Sequence, residues 1–259
     1  MRPGARLADE IILAGVPAED DLYAELSASV RWEDLGKGRR GAVLTKVDEA
    51  GGVPLVRTTT RYGNPAQCFR AVHERLARKV QERAGISAAF DNALIEGYTN
   101  AYRTMGGHSD QALDLADGSY VAVFSCYQDA DAGPSRKLVF AAKESGEKLE
   151  VPLAHNSVVA FSVDANRRMT HRILFDASAL DTADNPWLGV TFRTSKTVVR
   201  FRDGQPYLPQ GAPLVSADEE QQREFYRLRR RENDEADFVY PELTYTVSDT
   251  DLVPPVSWP

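Results

Sequence analysis

A histidine and an aspartate stand two residues apart in the segment His108-Ser109-Asp110. In an extended segment, side chains at this spacing point to the same side, so an imidazole and a carboxylate converge on one point. A second histidine from elsewhere would complete two neutral nitrogens and one anionic oxygen on one face of a metal ion. This ligand set is typical of non-haem Fe(II) centres, whose opposite face stays open. By itself His-x-Asp is a short pattern, and the alternative is an exposed loop aspartate beside a surface histidine. Together with the features below, the segment predicts a metal site with His108 and Asp110 as ligands.

The third ligand must come from the other three histidines, because the chain has four in all. His73 adjoins the apolar stripe of a predicted helix, which favours an ordinary packing or surface role. His155 lies in a polar turn before an apolar run, which favours a structural role. His171 opens a short apolar run, far enough after His108 for hairpins to bring two strands together. We therefore predict His171 as the third ligand.

Arg193 lies on a predicted strand whose alternation places Thr191 and Ser195 on the same face. A guanidinium is a planar fork of donors that matches a carboxylate. The alternative is an edge-strand arginine that meets solvent, but the small polar neighbours favour an anion. We predict that Arg193 binds an anionic co-substrate, flanked by the two hydroxyls.

The chain also contains, in order, His-x-Asp, a Gly-Ser-led apolar strand, an Arg-Lys-led strand, Pro-Leu-x-His-x-Ser, a distal histidine and Thr-Phe-Arg. These motifs fall at residues 108–110, 118–125, 136–140, 152–157, 171 and 191–193. Their order resembles the AlkB-like branch of the Fe(II)/2-oxoglutarate dioxygenases, from about residue 57 to residue 196. The resemblance implies that His108, Asp110 and His171 bind Fe(II), that Arg193 helps to bind 2-oxoglutarate, and that O2 is the second co-substrate.

Two departures concern the binding of 2-oxoglutarate. The family pattern Arg-x-Asn-x-Thr-x-Arg has Trp187 and Gly189 in place of its first Arg and its Asn, so Arg193 alone remains. An upstream Asn-x-Tyr pattern falls by spacing on Glu96 and Tyr98, which keeps only the tyrosine.

Asn100 and Tyr102 offer the same pattern closer to His108. If the strand ran unbroken, these side chains would share one face with Tyr98. Tyr98, Asn100 and Tyr102 are therefore candidate contacts of 2-oxoglutarate. The alternative for both tyrosines is plain strand packing, where Tyr is favoured.

Length and composition fit one domain, since 259 residues with 42% apolar content can bury an ample core. Short strands broken by turns between about 92 and 202, together with the resemblance, predict a mainly β, α+β fold. The expected fold is a double-stranded β-helix, a jelly-roll or cupin-like barrel buttressed by N-terminal helices and followed by a C-terminal helix and tail. We assign 1–203 to the dioxygenase domain, with the helical buttress at about 1–90 and the barrel at about 91–203. Residues 204–259 would form an extension packed on the same domain.

Within the buttress, apolar spacing predicts helices at 18–30 and 66–84 and strands at 42–47 and 56–62. Asn64 would cap the second helix and Gly85 would end it.

The net charge of −7 disfavours a nucleic-acid partner, which would require several phosphate-binding cations. The densest basic run, Arg227–Arg231, closes a predicted helix that begins at Ser216 with a Ser216–Glu219 capping box. Acidic residues follow at once, and Glu219–Arg223 and Glu224–Arg227 have the spacing of helical ion pairs. This run is therefore interpreted as a solvated helix end.

No apolar run approaches the roughly 18 residues of a membrane span, and the first residues lack the apolar core of a secretory signal. Cys68 and Cys126 are the only cysteines. Two reduced thiols and a ferrous site predict a cytoplasmic protein.

We predict hydroxylation or desaturation of a small polar metabolite, such as an amino acid or nucleoside-like compound, in a tailoring pathway. The first alternative is AlkB-like oxidative demethylation of alkylated nucleic-acid bases, which the resemblance suggests directly. The second alternative is a non-catalytic barrel that binds an anion or a partner.

Overall fold

The computed structural model describes residues 7–18, 21–176 and 184–257. Most of its regular elements are short strands. In chain order the elements are β1 Ile11–Gly15, α1 Leu22–Ser27, β2 Glu33–Gly36, β3 Arg39–Thr45, β4 Gly52–Leu55, β5 Gln67–Cys68, α2 Ala71–Ala84, β6 Asn92–Tyr98, β7 Tyr120–Tyr127, β8 Arg136–Ala142, β9 Lys148–Pro152, β10 Ser157–Ser162, α3 Val163–Arg168, β11 Met169–Phe175, β12 Trp187–Arg193, β13 Thr197–Arg202, β14 Gln205–Tyr207, β15 Val215–Ser216, α4 Glu219–Asp234 and β16 Tyr245–Thr246.

Two sheets enclose the interior. The larger has the order β1-β10-β7-β12-β6-β3-β2, with β5 paired to β3, and the smaller has the order β11-β8-β9. Side chains from both sheets pack in one apolar cluster, with Val123 and Phe161 from the larger sheet and Leu138, Phe140 and Ile173 from the smaller. Two facing, mainly antiparallel sheets are the architecture of a jelly roll, so the predicted fold is confirmed.

The outer face of the larger sheet is covered by the first two helices. Leu26 of α1 and Leu76 and Val80 of α2 pack against Leu44 and Phe124 of the sheet. Burial of each large aliphatic side chain contributes about 1.5–3 kcal/mol, which makes this second cluster a rigid support for the strands. The two helices therefore buttress the sheet, although the same region also contains five strands.

The second helix begins later than the apolar pattern predicted. Gln67 and Cys68 form β5 in parallel pairing with β3, so these two residues are extended and the helix can begin only after them. The predicted cap Asn64 is wrong: Arg70 is the N-cap residue, and its backbone N–H donates to the His73 side chain. The predicted end is confirmed, because Gly85 has the left-handed φ of 66° that suits glycine.

Three other predicted bounds also differ. Within the described residues the first helix is α1, Leu22–Ser27, capped by the Asp21 carboxylate, and the strand predicted at 42–47 is β3. No strand forms at 56–62, because the strand of this region is β4 and the chain then leaves the sheet.

The C-terminal helix begins at Asp218 rather than at Ser216. Ser216 is taken up by the short parallel pairing of β15 with β16, so Asp218 and Gln221 form the capping box instead. Phe225 and Leu228 of α4 pack against Leu113, in the loop after the His-x-Asp segment. The extension therefore lies directly against the chain that carries the candidate ligands. Within the described residues, no helix is long and apolar enough to cross a membrane.

Candidate metal centre and its cavity

Two histidines and one aspartate meet at one end of the interior. The Nε2 atoms of His108 and His171 lie 3.9 and 3.5 Å from Asp110 Oδ1. One potential ligand atom from each residue lies within 4.8 Å of the others. Adjacent ligands of one ion with bonds of about 2.1 Å are roughly 3 Å apart, so a small inward movement would close the set around a metal. Two imidazoles and a carboxylate are a donor set that suits Fe(II).

Backbone pairing places the two histidines opposite each other. His171 lies within β11, and its N–H donates to the carbonyl of His108 at 2.7 Å. The N–H of His108 returns a bond to the carbonyl of His171 at 3.0 Å, so the His-x-Asp segment extends the smaller sheet. His108 Nδ1 lies 2.9 Å from the carbonyl of Gly106, to which it can donate. That bond fixes the tautomer that leaves Nε2 free to bind a metal.

Asp110 is held at both its backbone and its side chain. The Asn166 side chain bonds the N–H and the carbonyl of Asp110, both at 2.7 Å, and Arg193 Nε donates to Asp110 Oδ2 at 2.6 Å. Burial alone would raise the pKa of Asp110, but Arg193 and the two imidazoles hold it well below its usual range. Burial and the neighbouring His171 lower the pKa of His108 to about 3. At neutral pH the carboxylate is therefore ionised and the His108 ring is neutral.

Helix α4 binds the backbone of the same segment at three points. The N–H of Ser109 donates to Asn233 Oδ1 at 3.0 Å, and the Ser109 carbonyl accepts from Arg229. The N–H of Ala112 donates to Glu232 Oε1 at 2.7 Å. The interpretation of the basic run as a solvated helix end is therefore wrong for Arg229, which turns inward.

The remaining arginines of this helix behave largely as the charge pattern predicted. Arg223 pairs with Glu219 at 3.6 Å and Arg227 pairs with Glu224 at 3.8 Å, which confirms both predicted ion pairs. These exposed pairs contribute little stability each, because water screens them.

A cavity of about 710 Å³ opens from the three candidate ligands. Its volume lies in the usual range of small-molecule sites, roughly 300–1,000 Å³. Strands of both sheets contribute Leu94, Val123, Leu138 and Ile173 to its apolar wall. Its charged and polar lining includes Lys37, Arg39, Thr58, Thr59, Thr60, Glu96, Tyr102, Gln111, Thr191, Arg193, Tyr226, Arg229, Arg230 and Asn233.

The structure brings six of the nine predicted site residues together around this cavity. They are His108, Asp110, His171, Tyr102, Thr191 and Arg193.

Tyr98, Asn100 and Ser195 lie outside the lining. Tyr98 is buried against Trp187, and its hydroxyl donates to Glu96 Oε2 at 2.9 Å. Strand β6 ends at Tyr98, so the alternation expected to carry Asn100 onto the same face stops before it. Ser195 follows the end of β12, and its hydroxyl donates to the carbonyl of Leu55 at 2.6 Å.

The other two histidines have the structural roles that their surroundings predicted. His73 is fully buried, with Nδ1 accepting from the Arg70 N–H and Nε2 lying 2.8 Å from Ser29 Oγ. His155 Nδ1 accepts from the Tyr127 N–H at 3.2 Å.

Sequence reasoning missed several residues at this site. Phe225, Leu228 and Glu232 are buried at helical spacing, and Arg229 and Asn233 adjoin that face. Applied to α4, the same periodicity argument would have separated Arg229 from its solvated neighbours. No local pattern marks Asn166 or Arg39, because each acts on a segment far away in sequence.

Trp187 and Gly189, the two departures from the family pattern, fit together. The Trp187 ring lies over Gly189, where an added Cβ would come within 2.1 Å of the indole. The indole therefore takes the space in which the family pattern has an asparagine side chain.

No protein-family profile and no curated protein matches this chain. Among solved structures, OsALKBH1 matches 71% of this chain and 96% of its own, with 13% identity and a TM-score of 0.46. A Pseudomonas putida prolyl-4-hydroxylase matches 73% of this chain and 96% of its own, with 11% identity and a TM-score of 0.41. At these TM-scores neither likeness adds to what the two sheets and the site geometry themselves show.

Proposed function

We propose that this protein is a 2-oxoglutarate-dependent oxygenase with Fe(II) held by His108, Asp110 and His171. The observation that carries the proposal is the convergence of these side chains in the wall of a cavity large enough for a substrate. Bound Fe(II), with 2-oxoglutarate and O2, supplies the oxidising chemistry that functionalises an unactivated C–H bond. The protein supplies the coordination geometry and a shaped pocket.

Arg193 supports the binding of 2-oxoglutarate. Its Nε bonds Asp110 Oδ2, and the residue also lines the cavity. The guanidinium would thus orient the carboxylate ligand and bind a carboxylate of 2-oxoglutarate with the rest of its fork. Thr191, two residues before Arg193 on the same face of β12, would add a hydroxyl that can donate a hydrogen bond to the same carboxylate.

Arg39 offers the second cation that the family pattern lacks at Trp187. Both Arg39 and Trp187 are in register with Tyr98 across the larger sheet, so Arg39 lies at the level of the missing arginine. Arg39 lines the cavity, bonds Glu96 at 2.6 Å and lies 6.0 Å from the Tyr102 ring centre. We propose that Arg39 and Tyr102 bind the distal carboxylate of 2-oxoglutarate.

The proposed reaction is hydroxylation or desaturation of a small polar metabolite. Demethylation of nucleic-acid bases is disfavoured, because three exposed arginines of α4 that could bind phosphates, Arg223, Arg227 and Arg231, pair with nearby glutamates instead. The free thiols of Cys68 and Cys126 support a reducing, cytoplasmic location.

The test is stoichiometric release of succinate by purified protein supplied with Fe(II), 2-oxoglutarate, O2 and pools of small metabolites. His108→Ala should lose both Mn(II) binding, followed by electron paramagnetic resonance, and succinate release. His155→Ala is the matched control, since it removes a histidine that lies outside the site.

Full turnover by the His108→Ala protein would refute the proposed ligand set. Mn(II) binding without binding of 2-oxoglutarate would instead favour a metal-containing protein of another class.

A further inference from the structure

Gln111 carries a buried side-chain amide that makes no hydrogen bond within the described chain. The residue follows Asp110, is 5% exposed and lines the cavity. Neither its Nε2 nor its Oε1 has a hydrogen-bond partner in the described part of the chain. Buried polar groups are nearly always bonded, because an unmet donor and acceptor destabilise the fold. The amide is therefore available to a ligand that presents both an acceptor and a donor.

Among the cationic side chains that line the cavity, some are paired with carboxylates and others are not. Arg39 bonds Glu96, Arg193 bonds Asp110, and Arg229 bonds Glu232. By contrast, Lys37 and Arg230 are exposed and line the same cavity, and no described carboxylate pairs with either. Two cations therefore remain free to meet an anionic group at the mouth.

The backbone fixes the position of Lys37. The turn Gly36-Lys37-Gly38 has φ angles of 79°, 56° and 78°, a left-handed conformation that lysine rarely adopts. The Gly38 carbonyl accepts from the Thr99 N–H at 2.9 Å, and a Cβ on Gly38 would come within 2.3 Å of Thr99 Oγ1. This close fit holds the turn against the segment after β6, next to the cavity.

We propose that the substrate is a small molecule with an amide-type donor and acceptor pair, bound by Gln111, and an anionic group, bound between Lys37 and Arg230. The inference rests on the proposed function and narrows its substrate class. Gln111 lines the same cavity as His108, Asp110 and His171, so we expect oxidation at a carbon near that amide. The anion stays at the mouth.

The binding test uses the full chain loaded with Mn(II) and 2-oxoglutarate, which cannot turn over. The probes are N-acetylglycine, N-acetyl-L-leucine, N-acetyl-L-glutamate and N-acetyl-O-phospho-L-serinamide, each beside its uncharged partner, the carboxamide or, for the phosphate probe, N-acetyl-L-serinamide. Titration calorimetry gives Kd, and line broadening by Mn(II) reports which ligand carbons approach the metal. The carboxylate and phosphate probes separate the two sources of the anion.

At least one anionic probe should bind with a Kd below about 1 mM, and its uncharged partner about tenfold more weakly. Lys37→Asn, which suits the left-handed turn, and Arg230→Gln should each weaken the anionic probe by about two- to fivefold, the size expected of exposed charges. Gln111→Leu should weaken charged and uncharged probes alike by about tenfold. Arg231→Gln, on the same helix but paired with Glu235, should change nothing.

Binding of 2-oxoglutarate with no binding of any anionic probe would overturn the inference, and so would equal binding of charged and uncharged partners. The same titrations on metal-free protein decide the inference if Mn(II) or 2-oxoglutarate fails to bind. In that event the proposed function fails separately.

Discussion

Asp110 and Asp114 lie on one loop, four residues apart, and both are buried, yet their surroundings differ in kind. Asp114 accepts from Arg57 through both carboxylate oxygens, at 3.0 and 2.8 Å, and from the Thr197 hydroxyl at 2.7 Å. The remaining Arg57 nitrogen donates to the carbonyls of Leu243 and Tyr245. Every charged group of this cluster is thus bonded within the protein.

The cavity side of the loop is different. His171 Nδ1 and both amide atoms of Gln111 are buried without a partner in the described chain, and the two Nε2 atoms and Asp110 face one gap. The backbone of this segment is nevertheless bonded by Asn166, Arg229 and Asn233. On this loop, the fully bonded groups serve folding, while the bonded backbone with unbonded side chains beside the cavity leaves those side chains available to ligands.

The largest effect is expected when the fully bonded cluster around Arg57 and Asp114 is disrupted. Arg57→Met should destabilise the protein by about 3–5 kcal/mol, because it leaves the Asp114 carboxylate buried without a counter-charge. Urea unfolding measures the loss, and Arg231→Gln, an exposed pair on α4, should cost less than about 0.5 kcal/mol. A loss below about 1 kcal/mol for Arg57→Met would show that the cluster does not stabilise the fold.

His73 extends the comparison to a histidine whose two ring nitrogens are both used by the protein. Burial, and then the neighbouring Arg70, lower the pKa of His73 to about 4 from 6.5. Below pH 6.5 the unfolded chain takes up a proton that the folded protein refuses until about pH 4. Stability should therefore fall by about 3 kcal/mol over this window as the pH falls. The difference between wild-type and His73→Gln unfolding curves isolates this contribution, and parallel curves would disprove it.

The hydrogen bonds from α4 to the backbone of the His-x-Asp segment predict that a change in α4 weakens metal affinity without a large loss of stability. Asn233→Ala removes the acceptor of the Ser109 N–H and should weaken Mn(II) binding by about tenfold, as loss of groups that orient metal ligands does. Arg227→Gln, on the solvent side of the same helix, is the control. Unchanged Mn(II) affinity would mean that α4 only covers the segment and does not position it.

The smallest effect should have the opposite sign. Gln111→Leu should stabilise the metal-free protein by about 1 kcal/mol, since it replaces an unbonded buried amide by an apolar side chain of similar size. Gln67→Leu is the matched control, because the Gln67 amide bonds both the N–H and the carbonyl of Arg31, and its loss should destabilise by about 1–3 kcal/mol. Two losses of equal size would remove the distinction between the regions.

Local sequence patterns predicted correctly those features of the site that depend only on residues close together in the chain. The two-residue spacing of His108 and Asp110 and the alternation around Arg193 depend only on backbone that is locally extended. The bounds of α2 and α4 were wrong because β5 and β15 pair with strands distant in sequence, and those pairings override the local helical signal. Ser195 was misplaced for a related reason, since alternation ends where β12 ends.

By itself, the sequence determined the mainly β fold, the nomination of His108, Asp110 and His171, and the structural roles of His73 and His155. These follow from residue type, spacing and immediate neighbours. Only the tertiary structure decided that Asn166 and α4 bind the backbone of the His-x-Asp segment, that Arg39 reaches the level of Trp187, and that Gln111 is unbonded. Those facts depend on which distant segments meet, and packing and strand register over the whole chain determine that.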